Sequence, residues 1–264
     1  MATRSILSAF SVVLLGASCS VPAVRPWGRV GYLHLDGDIT ASAGPASASV
    51  SADSLGLDNY EAIPNIGADF DWDPIHLAVE GLVAKYQGSG FATTELSIDN
   101  DGSPIVIPLG TQVESEIDVG LYLARATWDI LPSAPVDLGI GVGGGLIDYG
   151  VSFDATILTQ PRSVGIDDEL PFGFLTARVG RQLGDFELLG HISGLGFEFG
   201  NEEINFIDIE GSLIWTFWYM KTGAAALEVG YRYIELDYEF DPSRGNFSVD
   251  AALRGPFVGL SVRL

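Results

Sequence analysis

Three histidines, His34, His76 and His191, fall where an alternating strand would turn them to its polar face. Glu80, Asp118, Glu210 and Glu228 share such faces, and Arg178 and Arg232 supply cations at the same depth. Two chemistries compete for these groups. In the first they pair with one another, because a charge removed from water needs a partner. In the second, His191-Ile192-Ser193 sets a base and a hydroxyl two residues apart on one strand face, with Glu202 and Glu203 just beyond. A serine nucleophile needs a histidine to take its proton and a carboxylate to orient that histidine. Pairing accounts for more of the residues. No catalytic residue is therefore assigned, and the protein is expected not to be an enzyme.

The remaining acids cluster in the stretches between strands. Asp53, Asp58, Asp99, Asp101, Glu114, Asp167, Asp168, Glu169, Glu202, Glu203, Glu239 and Asp241 crowd one end of the predicted strands. Arg25, Arg29, Arg181, Lys221 and Arg263 lie toward the other. Asp99-Asn100-Asp101-Gly102 is similar to the opening of a calcium loop, but no glutamate follows at the spacing that loop requires. No specific metal site and no cofactor are assigned. A net charge of −22 repels phosphates, which excludes nucleic-acid partners.

The elements that must position these groups are strands. Met1–Ala23 reads as a signal peptide, with Ile6–Ala17 as a short apolar stretch and Val21-Pro22-Ala23 as a cleavage site. Leu15-Gly16-Ala17-Ser18-Cys19 resembles a lipobox, in which Cys19 would be acylated. Residues 24–264 read as one domain. They contain no apolar run of about 18 residues, so helical spans are excluded. Yet the chain is 47% hydrophobic with a mean hydropathy of +0.28. The conflict resolves if apolar residues are dispersed at every second position. Ten strands are read, with eight or twelve as alternatives. Short turns, such as Asp73-Pro74, Leu183-Gly184 and Lys221-Thr222-Gly223, alternate with longer loops such as Ala41–Asn59 and Leu158–Asp168. This is the pattern of an up-and-down antiparallel β-barrel.

Aromatic residues decide which solvent surrounds it. Trp27, Trp72, Trp128, Trp215 and Trp218 fall at one end of the strands. Tyr86, Tyr149, Phe153, Phe197, Phe199, Phe206, Tyr238, Phe240 and Phe247 fall at the other. Two aromatic belts around alternating strands are what a bilayer asks of a transmembrane barrel. The apolar face, read as Leu33, Leu35 and Ile39 on the first strand and Ile117, Val119, Leu121 and Leu123 on the fourth, should then meet lipid. On the fifth strand Gly139, Gly141, Gly143 and Gly145 should face inward. They leave room either for a bulky neighbour such as Tyr122 or for a narrow water path.

The last strand, Gly255 to Leu264, resembles the terminal strand of bacterial outer-membrane proteins, with Gly259, Val262 and Leu264 at the positions of their assembly signal. The resemblance implies recognition by the barrel-assembly machinery and a place in the outer membrane among its lipid and lipopolysaccharide. Divalent cations at the acidic outer loops would bridge to lipopolysaccharide phosphates. The His-x-Ser pair is similar to that of outer-membrane lipid A deacylases, although Gly194 stands where those enzymes carry Asn. An omptin-like protease would require Asp and His pairs at the outer rim, where no histidine is predicted. The expected function is a structural or small porin-like barrel preferring cations. A surface-binding barrel acting through its acidic loops is the alternative.

Overall fold

The computed structural model describes residues 23–43, 46–52, 57, 60–91, 96–100, 103–131, 136–157, 160–199, 202–240 and 246–264. Among these residues thirteen strands run in chain order. They are β1 (Ala23–Ala43), β2 (Ala46–Ser51), β3 (Tyr60–Trp72), β4 (Ile75–Phe91), β5 (Leu96–Asn100), β6 (Ser103–Ile107) and β7 (Gln112–Asp129). There follow β8 (Asp137–Ile157), β9 (Gln160–Leu183), β10 (Phe186–Phe199), β11 (Glu202–Met220), β12 (Gly223–Phe240) and β13 (Asn246–Arg263).

Ten of them form an antiparallel meander, β1-β3-β4-β7-β8-β9-β10-β11-β12-β13, and β13 returns to pair with β1 from Trp27↔Ser261 to Ser42↔Asn246. Closure removes the edges that an open sheet would leave unpaired. β2 extends the sheet beside the far part of β1, and β5 and β6 form a separate hairpin. Its strands pair as far as Asn100↔Ser103, and Asp101 and Gly102 of the Asp99–Gly102 motif lie outside the described residues. Of Leu158–Asp168, read from sequence as loop, the part from Gln160 on belongs to strand β9, and β8 and β9 pair as far as Ile157↔Gln160.

Tight connections collect at one end. At Gly184, in the turn between β9 and β10, φ is +65°, a conformation that glycine adopts without steric cost. On the outer wall near this end stand Trp128, Phe186, Trp215, Phe217, Trp218 and Tyr219, all exposed, with Trp72 half-buried among them. Across a band carrying Leu77, Val79, Ile140, Val142, Leu175, Ile192, Ile209, Leu213, Val258 and Leu260, a second belt is made by Tyr32, Tyr60, Tyr122 and Tyr231. Tyr32 and Tyr60 stack with centroids 5.1 Å apart. Above this belt the outer wall turns polar. Lys85 pairs with Glu116 and Asp118, and Arg254 lies 2.9 Å from Asp36. The strands thus continue well past the apolar band toward the long-loop end.

Several sequence expectations change here. Tyr86, Tyr149, Phe206 and Tyr238 point into the barrel and do not form the upper belt; tyrosines on the other face do. The side chains of Phe153, Phe197, Phe199, Phe240 and Phe247 lie outside those described. Trp27 is 8% exposed and faces the lumen, so it is no interface residue. On β1 and β7 the inward face carries Leu33, Leu35, Ile117, Leu121 and Leu123, while Asp36, Asp118 and Tyr122 face out. The reason is that the interior is itself apolar in its upper half, so polarity alone inverts the phase there.

Candidate functional site

The lumen is divided by a floor of ion pairs. Arg29 on β1 donates through Nε and Nη2 to Glu228 of β12, at 3.0 and 2.8 Å, and through Nη1 to Glu210 of β11 at 2.8 Å. Arg125 on β7 donates to Glu80 of β4 at 2.6 Å and to Asp208 of β11. Arg232 on β12 spans both acids, reaching Glu80 at 2.8 and 2.9 Å and Asp208 at 2.9 Å. Asn65 donates to the second Glu80 oxygen at 3.1 Å. All seven charged groups are buried. Bidentate arginine–carboxylate geometry gives the strongest pairing available to side chains, and burial without it would cost several kcal/mol, of order 3–5 for one missing partner.

Glycines make the space for these long side chains. Gly259 pairs with Arg29 across the β1–β13 seam, and a Cβ there would stand 2.6 Å from Arg29 Cγ. Gly67 lies against the Trp27 ring, which stacks under the Arg29 guanidinium at 3.9 Å. Gly143 and Gly145 on β8 lie under Phe174 and Phe172. Large neighbours therefore fill the upper half of the inward glycine stripe, while Gly139 and Gly141 lie against Thr127 and the β7 backbone. The neighbours are these phenylalanines, since Tyr122 packs outside over Gly81 and Gly120.

Below the floor, toward the tight turns, lies a polar vestibule of about 60 Å³. Arg25 bridges Asp69 at 3.0 Å and Glu187 at 3.1 Å. His76 holds Asp71 at 2.6 Å through Nδ1 and Asp129 at 2.8 Å through Nε2. Arg178 lines the same space with its Nη1 buried and unpaired by hydrogen bonds. Above the floor lies an apolar chamber of about 90 Å³ bounded by β1, β7, β8, β11, β12 and β13.

The sequence-derived network thus separates into three groups. Glu80, Glu210, Glu228 and Arg232 belong to the floor. His191 sits at its edge, with Nε2 3.7 Å from Asp208, while His76 and Arg178 belong to the vestibule. His34 and Asp118 are not in the lumen. His34 stacks on Tyr60 at 4.9 Å on the outer wall, and Asp118 pairs with Lys85 there. Their assignment inward followed the phase inversion on β1 and β7. Sequence reasoning missed Arg29, Arg125 and Asp208 as network members. A signal existed: the assumed phase put Arg125 on the same face as Leu121 and Leu123, which would aim a guanidinium at lipid, an expensive placement.

Ser193 does not form a nucleophile with His191. It is 1% exposed, donates to Thr176 Oγ1 at 3.0 Å and accepts from Arg125 Nε at 3.2 Å. The described histidines stand on the outer wall, in the vestibule and beside the floor. Among the described residues no cluster of metal-ligating side chains occurs, and the side chains of Asp99, Asp167, Glu202 and Glu203 lie outside those described. Gly259 faces inward, whereas Val262 and Leu264 face out with Val258 and Leu260. Cys19 and the rest of the segment read from sequence as a signal peptide, up to residue 22, lie outside the described residues.

No protein-family model and no curated protein matches the sequence. The fold is similar to that of the outer membrane protease OmpT from Escherichia coli, with a TM-score of 0.53 and 9% identity over 92% of this chain and 97% of that one. Weaker likenesses reach the transport unit of the autotransporter AIDA-I from Escherichia coli (TM-score 0.34, 12% identity, 96% and 93% covered) and the Pseudomonas putida toluene transporter TodX (0.28, 8%, 93% and 90%). At 9% identity the likeness to the protease concerns architecture alone, a closed antiparallel barrel.

Proposed function

We propose that this chain, a bacterial outer-membrane β-barrel protein, is a non-enzymatic structural barrel closed to ion flow. The observation that carries the reading is the floor. Arg29, Arg125 and Arg232 are each held by two of the four acids Glu80, Asp208, Glu210 and Glu228, so all three cations are spent on side chains of the floor and line no path, with one carboxylate charge in excess. Ten strands enclose a lumen that side chains can fill, unlike the sixteen or so of a wide pore. The porin-like role suggested by the acidic composition is the weaker reading for this reason.

A second role at the outer surface is favoured by one observation. The barrel wall continues beyond the tyrosine belt and carries paired charges there, including Lys85, Glu116, Asp118, Asp36 and Arg254. A wall raised above the lipid holds the acidic loops clear of the membrane, where a surface partner or divalent cations bound to lipopolysaccharide would meet them. Insertion is assigned to the barrel-assembly machinery through Gly259, Val262 and Leu264. The outward Val262 and Leu264 prolong the lipid-facing row of Val258 and Leu260.

Planar-bilayer recording tests closure. The wild-type protein is expected to give no steady current, and Arg232→Ala to give a small one as the floor loosens. A steady cation-preferring conductance from the wild type would overturn the reading and restore the porin.

A further inference from the structure

The lumen changes character within one step of the floor. On six strands the inward residue two positions toward the long-loop end is apolar. Leu82 follows Glu80, Ile234 follows Arg232, Leu195 follows Ser193, Leu123 precedes Arg125, Phe206 precedes Asp208 and Phe174 precedes Thr176. The interiors of membrane barrels are usually polar, because water or hydrogen-bonded side chains fill them. Here a hydrophobic core occupies that place, and it is incompletely filled.

The unfilled part is the chamber of about 90 Å³, walled by Leu35, Ile117, Leu121, Ile147, Ile234 and Leu253. A core made only for packing would be filled to crystal-like density by larger side chains. Instead small residues, Gly37, Ala52 and Ala251, line part of it. Such a lining offers water few partners. Cavities of this kind stay dry and accept apolar guests, as an engineered cavity of roughly 150 Å³ accepts benzene. The floor beneath is a mesh of ion pairs, which an apolar molecule could separate only at the cost of unpaired buried ions. The floor therefore closes the chamber on the side of the tight turns.

We propose that the chamber is a binding site for one small uncharged apolar molecule, of the size of a single aromatic ring or a short branched hydrocarbon, held above the floor and not passed through it. This goes beyond the closed-barrel reading. A conducting wild type would sink closure while leaving occupancy of the chamber to its own test.

The test uses the full chain in lipid nanodiscs with fluorobenzene as the probe, followed by fluorine NMR against empty nanodiscs. Saturable binding to the loaded discs is expected, absent from empty ones. Ala251→Phe and Val119→Phe, which fill the chamber from β13 and β7, should each weaken binding at least tenfold, with folding checked by heat-modifiable gel mobility. Only partitioning equal to that of empty discs, as when part of this chain already occupies the space, would overturn the proposal. So would a folded chamber-filling variant that binds the probe as the wild type does.

Discussion

Arg232 and Glu80 meet across the lumen from strands 152 residues apart in sequence, joined by two hydrogen bonds of 2.8 and 2.9 Å. Both side chains are about 3% exposed. A pair so buried stabilises less than its geometry suggests, because both ions gave up their hydration, but losing one member is severe. Arg232→Met should lower stability to urea unfolding in liposomes by about 3–5 kcal/mol. Combining it with Glu80→Gln should cost less than the sum of the two single changes, the signature of direct coupling. Additive effects would show that the two groups do not share one network.

Gly145 tests how the stripe of inward glycines is used. A Cβ there would lie 2.6 Å from the Phe172 ring and 2.7 Å from Leu123 Cδ2, both side-chain contacts. Gly145→Val should overpack the lumen and cost about 1–3 kcal/mol. Phe172→Ala in the same chain should recover most of that loss, measured by the same unfolding transition. No recovery would mean that the glycine is needed for the backbone and not for the ring.

The tryptophans divide into two environments. Trp27 lies inside the barrel against Arg29, whereas Trp128, Trp215 and Trp218 are exposed on the outer wall. In single-tryptophan variants reconstituted with brominated lipid, fluorescence at Trp128, Trp215 and Trp218 should be strongly quenched. Trp27 should keep most of its emission. Equal quenching at all four would place Trp27 in lipid and undo the inward face of β1.

Much of the architecture was legible because turns and alternation are local signals. On β4, Leu77, Val79 and Val83 face out while His76 and Glu80 face in, as their polarity implies. On β8, Ile140 and Val142 face out against Gly139, Gly141 and Gly143. β11 follows suit, with Ile207, Ile209 and Leu213 outward. The rule fails on β1 and β7, where the strand passes from a charged lumen into an apolar one while its outer face passes from lipid into water. Leu33 and Leu121 then sit inside, and Asp36 and Asp118 outside, so the polarity contrast reverses along a single strand. The floor was only half legible for the same reason. Glu80, Glu210, Glu228 and Arg232 lie on strands whose phase is plain, whereas Arg29 and Arg125 share faces with leucines.

The most direct test of the whole account is the phase of β11, which runs past the floor and along the apolar band. Nitroxide labels placed one at a time at residues 206, 207, 209, 211, 212, 213 and 214, with Cys19 replaced, report collision with oxygen dissolved in the bilayer. High oxygen accessibility at 207, 209, 211 and 213, and low at 206, 212 and 214, is the predicted period-two pattern. A reversed pattern, or uniform accessibility along the strand, would contradict it and with it the lipid-facing wall and the enclosed floor.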